Sequence, residues 1–459
     1  MSEIEAIVAR ARAAQARYEA DGSQARYDRA AQAAAWAIME PARNRALAEL
    51  AVQTTGLGNV PDKITKNYRK TLGLMRDIKG AVTFGVMSDD PATGITEIAR
   101  AKGVVGAIVP STNPAATPAN NIINALKCGN SIVIAPSPKG VACAEALLGY
   151  IHDEFAKIGE DRDLVQMIPA PGSKEKTQSL MEACDMIVAT GSQNNVHRAQ
   201  TAGTPAVAVG AGNVTVILDE TANLADAAEK IRASKCFDNA TSCSSENAVV
   251  VVDAVYDAFL AAISNAGGAL VEDEAGIVAK LWPGGHLNRS VIAQDADKMI
   301  AALELDVPHG TEYIAVPTAG VGPEHPLSGE KLSRVLALYR ASDFDAAVQK
   351  AREIQLHQGA GHSVGIHTSD TARPMVLATA IPTSRVIVNQ AHTFATGGSF
   401  TNGMPFSLSM GCGTWGGNSV NENVNYRHFL QSTKIIREIP AREPSLDDIF
   451  ADYWGAAGQ

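Results

Sequence analysis

The hydrophobic pattern changes period along the chain. Over the first 55 residues, alanine and larger apolar residues recur at helical spacing, broken at Asp21-Gly22-Ser23, and predict helices. Residues 80–103 read differently: two strand-like runs flank a DDPATG turn and predict an extended hairpin. From 104 onward short apolar runs alternate with helical segments. VVGAIV (104–109), SIVIA (131–135), LVQMI (164–168), DMIVAT (185–190), AVAVG (206–210) and VTVIL (214–218) are predicted strands. Helices are predicted around 115–127 and over 141–158, the second from the spacing of Leu147, Leu148, Ile151, Phe155 and Ile158. This alternation predicts an α/β fold with a doubly wound parallel sheet. Ligands of such sheets bind at the carboxyl ends of the strands. A second αβ region runs from about 235 to 423, and the tail 423–440 is expected to add one more strand.

Composition narrows the function classes. A chain of 459 residues exceeds one compact core, so two or three domains are expected. The net charge of −10 argues against a nucleic-acid surface, and the positive run from Lys63 to Lys70 reads as a solvated helix face. Six cysteines, at 128, 143, 184, 236, 243 and 412, form no CxxC pair and no framework spacing. That suits a reducing cytoplasm and argues against a metal site. No apolar run is long enough for a membrane span. With Glu3 and Glu5 and no apolar core, the N-terminus is not expected to be a signal peptide.

One cysteine stands out. Cys243 lies in the small, polar segment FDNATSCSSEN (237–247), just before the apolar run AVVVV (248–252). Such a cysteine is either a nucleophile or an inert buried thiol, and the segment alone leaves both open. GCGTWG (411–416) fits a dinucleotide-binding glycine pattern but follows no predicted strand and opens no predicted helix, so it reads as a decoy. The turns after the predicted strands are PSTNP (110–114), PSPKG (136–140) and TGSQNN (190–195), polar segments able to hold phosphate at helix N-termini.

Several motifs in order resemble the aldehyde dehydrogenase superfamily over nearly the full chain. They are VPSTNP (109–114), ATGS (189–192), GAGN (210–213), FDNATSCSSE (237–246), HPLSGEKLSRVLA (325–337), GHS (361–363) and SLSMGCGTWGGNSVNENV (407–424). The resemblance is closest to the CoA-acylating aldehyde dehydrogenases, including the N-terminal half of bifunctional aldehyde–alcohol dehydrogenases. It implies a cofactor-binding domain over 1–81 and 103–234, a catalytic domain over 235–423, and an oligomerisation arm over 82–102 and 424–440. A homodimer or homotetramer follows, in keeping with the open edges of a protruding hairpin. It further implies that Cys243 attacks the aldehyde, that Asn113 and the backbone N–H of Cys243 receive the oxyanion, and that His362 moves a thiol proton. Glu330 is implied to hold the ribose of NAD or NADP. Pro110, Ser111, Thr112, Thr190, Gly191, Ser192, Gly210 and Gly212 are implied to line the cofactor site. Coenzyme A is the implied co-substrate. Cys412 falls near the same site in the pattern.

Three departures from the pattern refine the expectation. Hydrolytic relatives carry a glutamate upstream of the cysteine that activates water. Here the corresponding stretch, 206–216, has none, and no carboxylate lies between Pro205 and Leu218. Without a base, water is a poor nucleophile toward a thioester, whereas a thiolate is a strong one. The strand end IVIAPSP (132–138) has Ala135 where many relatives have a lysine, with Lys139 four residues later, which leaves NAD and NADP undecided. Arg334 stands where the subgroup more often has proline. Together with His392 and Arg385 it is a candidate clamp for an anionic aldehyde, with sulfoacetaldehyde and succinate semialdehyde the leading candidates and acetaldehyde the neutral competitor. The rival readings are a hydrolytic aldehyde dehydrogenase and a catalytically silent structural relative.

Overall fold

The computed structural model describes residues 2–210 and 212–457. Fifteen strands among them form three sheets. The first two, β1 (Gly85–Asp90) and β2 (Ile95–Ala101), make the antiparallel hairpin expected from the DDPATG turn. Five follow in the first αβ region: β3 (Val104–Val109), β4 (Ser131–Pro136), β5 (Val165–Met167), β6 (Met186–Thr190) and β7 (Ala206–Val209). Seven more belong to the second: β8 (Val214–Leu218), β9 (Glu246–Val252), β10 (Gly268–Leu270), β11 (Tyr313–Pro317), β12 (Val335–Ala341), β13 (Val364–His367) and β14 (Val386–Val388). The last is β15 (Leu430–Ile436).

The five-stranded sheet is parallel, in the order β5-β4-β3-β6-β7. Every residue of β3 and β4 is buried, which is why both read as continuous apolar runs rather than alternating ones. Helices Glu3–Ala20 and Ala116–Lys127 pack on this layer, and all twelve residues of the second are buried. Strand order reverses at β3, so the turns after β3 and β6 border the crevice at the switch point.

The seven-stranded sheet is also parallel, in the order β10-β11-β12-β9-β8-β13-β14. Sheet membership therefore changes between Val209 and Val214, upstream of the 234/235 division read from the sequence. The run VTVIL looks like one more strand of the first sheet, but β8 pairs with β9 and β13. Periodicity identifies a strand without naming its partners. The tail strand β15 joins the hairpin, with Leu430 opposite Ala101 and Ile436 opposite Ile95. Its other edge pairs with nothing among the described residues.

The two parallel sheets meet at unlike ends. Turns at the carboxyl ends of β3, β6 and β7 face segments that enter the amino ends of β8, β9, β12 and β13. The rule that ligands sit at carboxyl ends thus describes only one wall of the crevice.

Candidate active site

A cavity of roughly 300 Å³ lies between these ends. From the first sheet come Pro110, Ser111, Thr112 and Asn113 after β3, Thr190, Gly191 and Ser192 after β6, and Gly210 after β7. From the second come Cys243, ahead of β9, and Glu330, ahead of β12. Gly212 lies just outside the lining, beneath Cys243: a Cβ there would stand 2.3 Å from the Cys243 carbonyl and 3.0 Å from the His362 ring.

The segment before Cys243 is strained. Asp238, Asn239 and Ala240 all have positive φ, at 47°, 55° and 58°. Non-glycine residues adopt this region only when their surroundings over-determine it. Those surroundings are polar and buried. The Asp238 carboxylate accepts from Lys63 at 3.1 Å, from Thr241 at 2.8 Å, from the Asn59 backbone N–H at 3.1 Å and from the Lys66 ammonium. Lys63 and Lys66 hold the carboxyl below its usual range despite its burial. The Asn239 amide donates to Asp295 at 2.9 Å and accepts from Arg334 at 2.7 and 3.1 Å.

Two expectations are corrected by this loop. The lysine run is not a solvated face, because Lys63 and Lys66 are only 3% and 5% exposed and neutralise Asp238. Arg334 does not line the cavity. Its guanidinium is spent on Asn239 and on the Glu312 carbonyl, at 3.1 Å, so it braces the strained loop instead.

The Cys243 loop meets His362 directly. His362 Nε2 lies 3.3 Å from Cys243 Sγ, its Nδ1 lies 2.7 Å from Ser363 Oγ, and that hydroxyl lies 2.8 Å from His392 Nε2. Burial pulls the His362 ring down to about 3, helped by the Arg385 charge. Burial also pushes the Cys243 thiol up to about 12, with Glu330 and Cys412 adding to the effect. The resting pair is therefore an uncharged thiol and an uncharged imidazole. With Nε2 as acceptor for S–H, Nδ1 carries the ring proton to Ser363, and the Ser363 hydroxyl donates to His392.

Asn113 is oriented by a charge. Lys66 Nζ donates to its Oδ1 at 2.9 Å and Nδ2 donates to Thr112 Oγ1 at 3.5 Å, which leaves the second Nδ2 hydrogen for a cavity ligand. Glu330 lines the cavity with one carboxyl oxygen, Oε1, lacking any partner, and burial raises the group to about 8. A buried carboxyl oxygen without a partner among the described residues, in the same cavity as the turns after β3 and β6, is able to bond a hydroxyl of a nucleotide ribose.

The remaining site expectations separate. His392 and Cys412 are 1% exposed and do not line the cavity. Arg385 is buried and its donors go to Asn423, Asn421 and the carbonyls of His362 and Gly411, so it is a brace rather than an anion clamp. GCGTWG forms a short 3-10 turn with no strand before it. Sequence reasoning missed Arg69, Lys70, Phe237, Phe394, Leu408 and Met410, all of which line the cavity. Of these only Lys70 had a signal in the sequence, its spacing: Lys63, Lys66 and Lys70 recur on one face of the helix Val60–Ile78, and the first two are buried.

The comparisons with known proteins agree with this geometry. Residues 1–408 match the model of the aldehyde dehydrogenase family. A sulfoacetaldehyde dehydrogenase (acylating) of Cupriavidus necator is 55% identical over 460 residues, covering 99% of this chain and 93% of that protein. The crystal structure of an acetylating aldehyde dehydrogenase from Geobacillus thermoglucosidasius superposes with a TM-score of 0.92 at 30% identity, covering 96% of this chain and 98% of the other. A propionaldehyde dehydrogenase of Rhodopseudomonas palustris, with CoA bound and a cysteine acylated, superposes with a TM-score of 0.85 at 25% identity, covering 95% and 97%. The chain belongs to the aldehyde dehydrogenase family.

Proposed function

We propose that this protein is a CoA-acylating aldehyde dehydrogenase, converting an aldehyde, CoA and NAD(P)⁺ to an acyl-CoA and NAD(P)H, in either direction. The observation that carries the reading is the 3.3 Å contact between Cys243 Sγ and His362 Nε2 beside a cavity whose described lining offers no ionised carboxylate to activate water. Glu330 is the sole carboxylate among the described lining residues, and at about 8 it keeps its proton at neutral pH. The stretch 205–218 supplies none. The acylating relative from Cupriavidus necator supports transfer to a thiol, and its substrate name supports a small anionic aldehyde. Acylating oxidation of succinate semialdehyde or acetaldehyde is the alternative.

In this reading Cys243 attacks the aldehyde carbon while its proton passes to His362 Nε2. The developing oxyanion is received by Asn113 Nδ2 and by the Cys243 backbone N–H, donors that stabilise charge only as it forms. A nicotinamide cofactor, when bound in the crevice, would supply the hydride acceptor. Glu330, Ser111, Thr112, Thr190, Gly191 and Ser192 would hold that cofactor, with Pro110, Gly210 and Gly212 letting the backbone approach. With that acceptor in place, the thiohemiacetal on Cys243 would be oxidised to a thioester held on the same sulfur. Once His362 has released the Cys243 proton to solvent, it takes the proton of the CoA thiol, the CoA sulfur takes the acyl group, and the proton returns to the departing Cys243 sulfur.

The free edge of β15, with Ile435 and Ile436 exposed, supports assembly into a dimer or tetramer through the arm. The domain division by function follows the same reading: a cofactor-binding unit on the five-stranded sheet, a catalytic unit on the seven-stranded sheet, and the arm. Among the described residues no helix is long and apolar enough to cross a membrane. Six free cysteines support a cytoplasmic setting.

The test is NAD(P)H formation by the purified protein with sulfoacetaldehyde, succinate semialdehyde and acetaldehyde, each with and without CoA. Strict dependence on CoA is expected. Equal rates without CoA would mean that a group other than those named activates water.

A further inference from the structure

The helix Val60–Ile78 turns three cations toward the cavity: Lys66, Arg69 and Lys70. Two are committed. Lys66 serves Asp238, Thr241 and Asn113. Lys70 donates to the carbonyls of Gly397 at 2.5 Å and Ser407 at 3.0 Å. Arg69 is different. It is half-buried, its guanidinium lies 4.7 Å over the ring of Phe394, and no carboxylate or carbonyl among the described residues accepts from it. Burial lowers it below the usual range with no counter-charge to offset the effect. Its charge, with that of Lys66, also helps burial pull Lys70 down to about 7.

Desolvating a cation without a partner is costly, and a guanidinium fork left open toward a cavity matches the paired oxygens of a carboxylate or sulfonate. Phe394 packs on Phe237 at 4.6 Å, and Phe237 immediately precedes the strained loop that carries Cys243. This aromatic pair lines the cavity, and the Phe394 ring face holds the guanidinium by a cation–π contact.

We propose that Arg69 anchors the substrate: its guanidinium takes the sulfonate or carboxylate of a short anionic aldehyde whose carbonyl carbon lies against Cys243. The proposal rests on the acylating reading and gives that site a specificity residue. It also moves the anion clamp expected at Arg334 to a residue that faces the cavity.

The experiment compares the parent with Arg69→Gln and Arg69→Lys, measuring kcat/KM for sulfoacetaldehyde and for acetaldehyde at saturating CoA and cofactor. The ratio of the two is expected to fall about 10²-fold in Arg69→Gln, mainly through the KM of sulfoacetaldehyde, the cost of losing one partner of a desolvated charge pair. Arg69→Lys, which keeps charge without the fork, should fall between. Inhibition of the parent by 2-hydroxyethanesulfonate should weaken in parallel. A loss shared equally by both aldehydes would overturn the proposal by showing a structural role. A rise confined to the KM of CoA would overturn it by assigning Arg69 to the CoA phosphates. Absence of CoA-dependent turnover of any aldehyde by the parent would instead remove the acylating reading.

Discussion

Lys66 Nζ donates to Asn113 Oδ1 at 2.9 Å while pairing with the buried Asp238 carboxylate. One ammonium thus fixes an amide that lines the cavity and neutralises the strained loop that precedes Cys243. In the proposed mechanism Asn113→Ala removes an oxyanion donor, and it is expected to lower kcat about 10²- to 10³-fold. Lys66→Met leaves the amide free to rotate and should lower kcat by a similar factor. Because both act on one donor, the double variant should lose little more than either alone. Steady-state kinetics of the three variants checks this, and multiplicative losses would show independent roles. Lys66→Met should also lower the Tm, since Asp238 keeps only Lys63 as a charge partner.

The Cys243–His362–Ser363–His392 chain gives both ring nitrogens of His362 a partner. His362→Ala removes the proton acceptor and should lower kcat about 10²- to 10⁴-fold. Ser363→Ala keeps the base but releases its tautomer, so a loss of about tenfold is expected, with KM for the aldehyde little changed. Single-turnover acylation of Cys243 measures the step directly. Ser363→Ala acylating at the parental rate would show that the hydroxyl only packs.

Much of this site could be read from the chain because its parts sit in short segments of unusual composition. Cys243, Asn113, His362 and Glu330 each lie in a turn whose residues suit no helix or strand interior, and the structure brings all four to one crevice. The strands were equally clear, since buried parallel strands are continuous apolar runs. What periodicity could not carry was partnership. β8 looked like a sixth strand of the first sheet and joins the second. Arg334, Arg385 and Arg69 are alike as letters, yet two are saturated by carbonyls and amides while the third faces the cavity. Charge pairing is decided by long-range contacts, such as Lys66 with Asp238, 172 residues apart in sequence.

The arm carries its own prediction. Ile436 is 75% exposed at the end of β15, on the open edge of the three-stranded sheet. Ile436→Glu should reduce the mass measured by light scattering to a smaller species without loss of secondary structure, because the pairing of β15 with β2 runs through backbone groups. An unchanged mass would place the assembly surface elsewhere, with the exposed Leu446, Ile449, Phe450 and Tyr453 of the helix Leu446–Ala457 the next to test.

Buried histidines set the acid limb of stability. His367 ends β13, is 3% exposed, and is pulled down by burial and by Lys230 from 6.5 to about 4. Its folded-state value is depressed, so between pH 6.5 and 4 the unfolded chain binds a proton that the folded chain does not. The stabilisation is present in full above pH 6.5 and is lost as the pH falls toward 4. His362 and His392 shift in the same direction, but they belong to the relay, which makes His367 the clean probe. His367→Leu removes the proton uptake. The stability of the variant relative to the parent should improve by about 2 kcal/mol between pH 7 and pH 5, read from urea midpoints. A difference that stays constant between the two pH values would mean that His367 titrates normally in the folded protein.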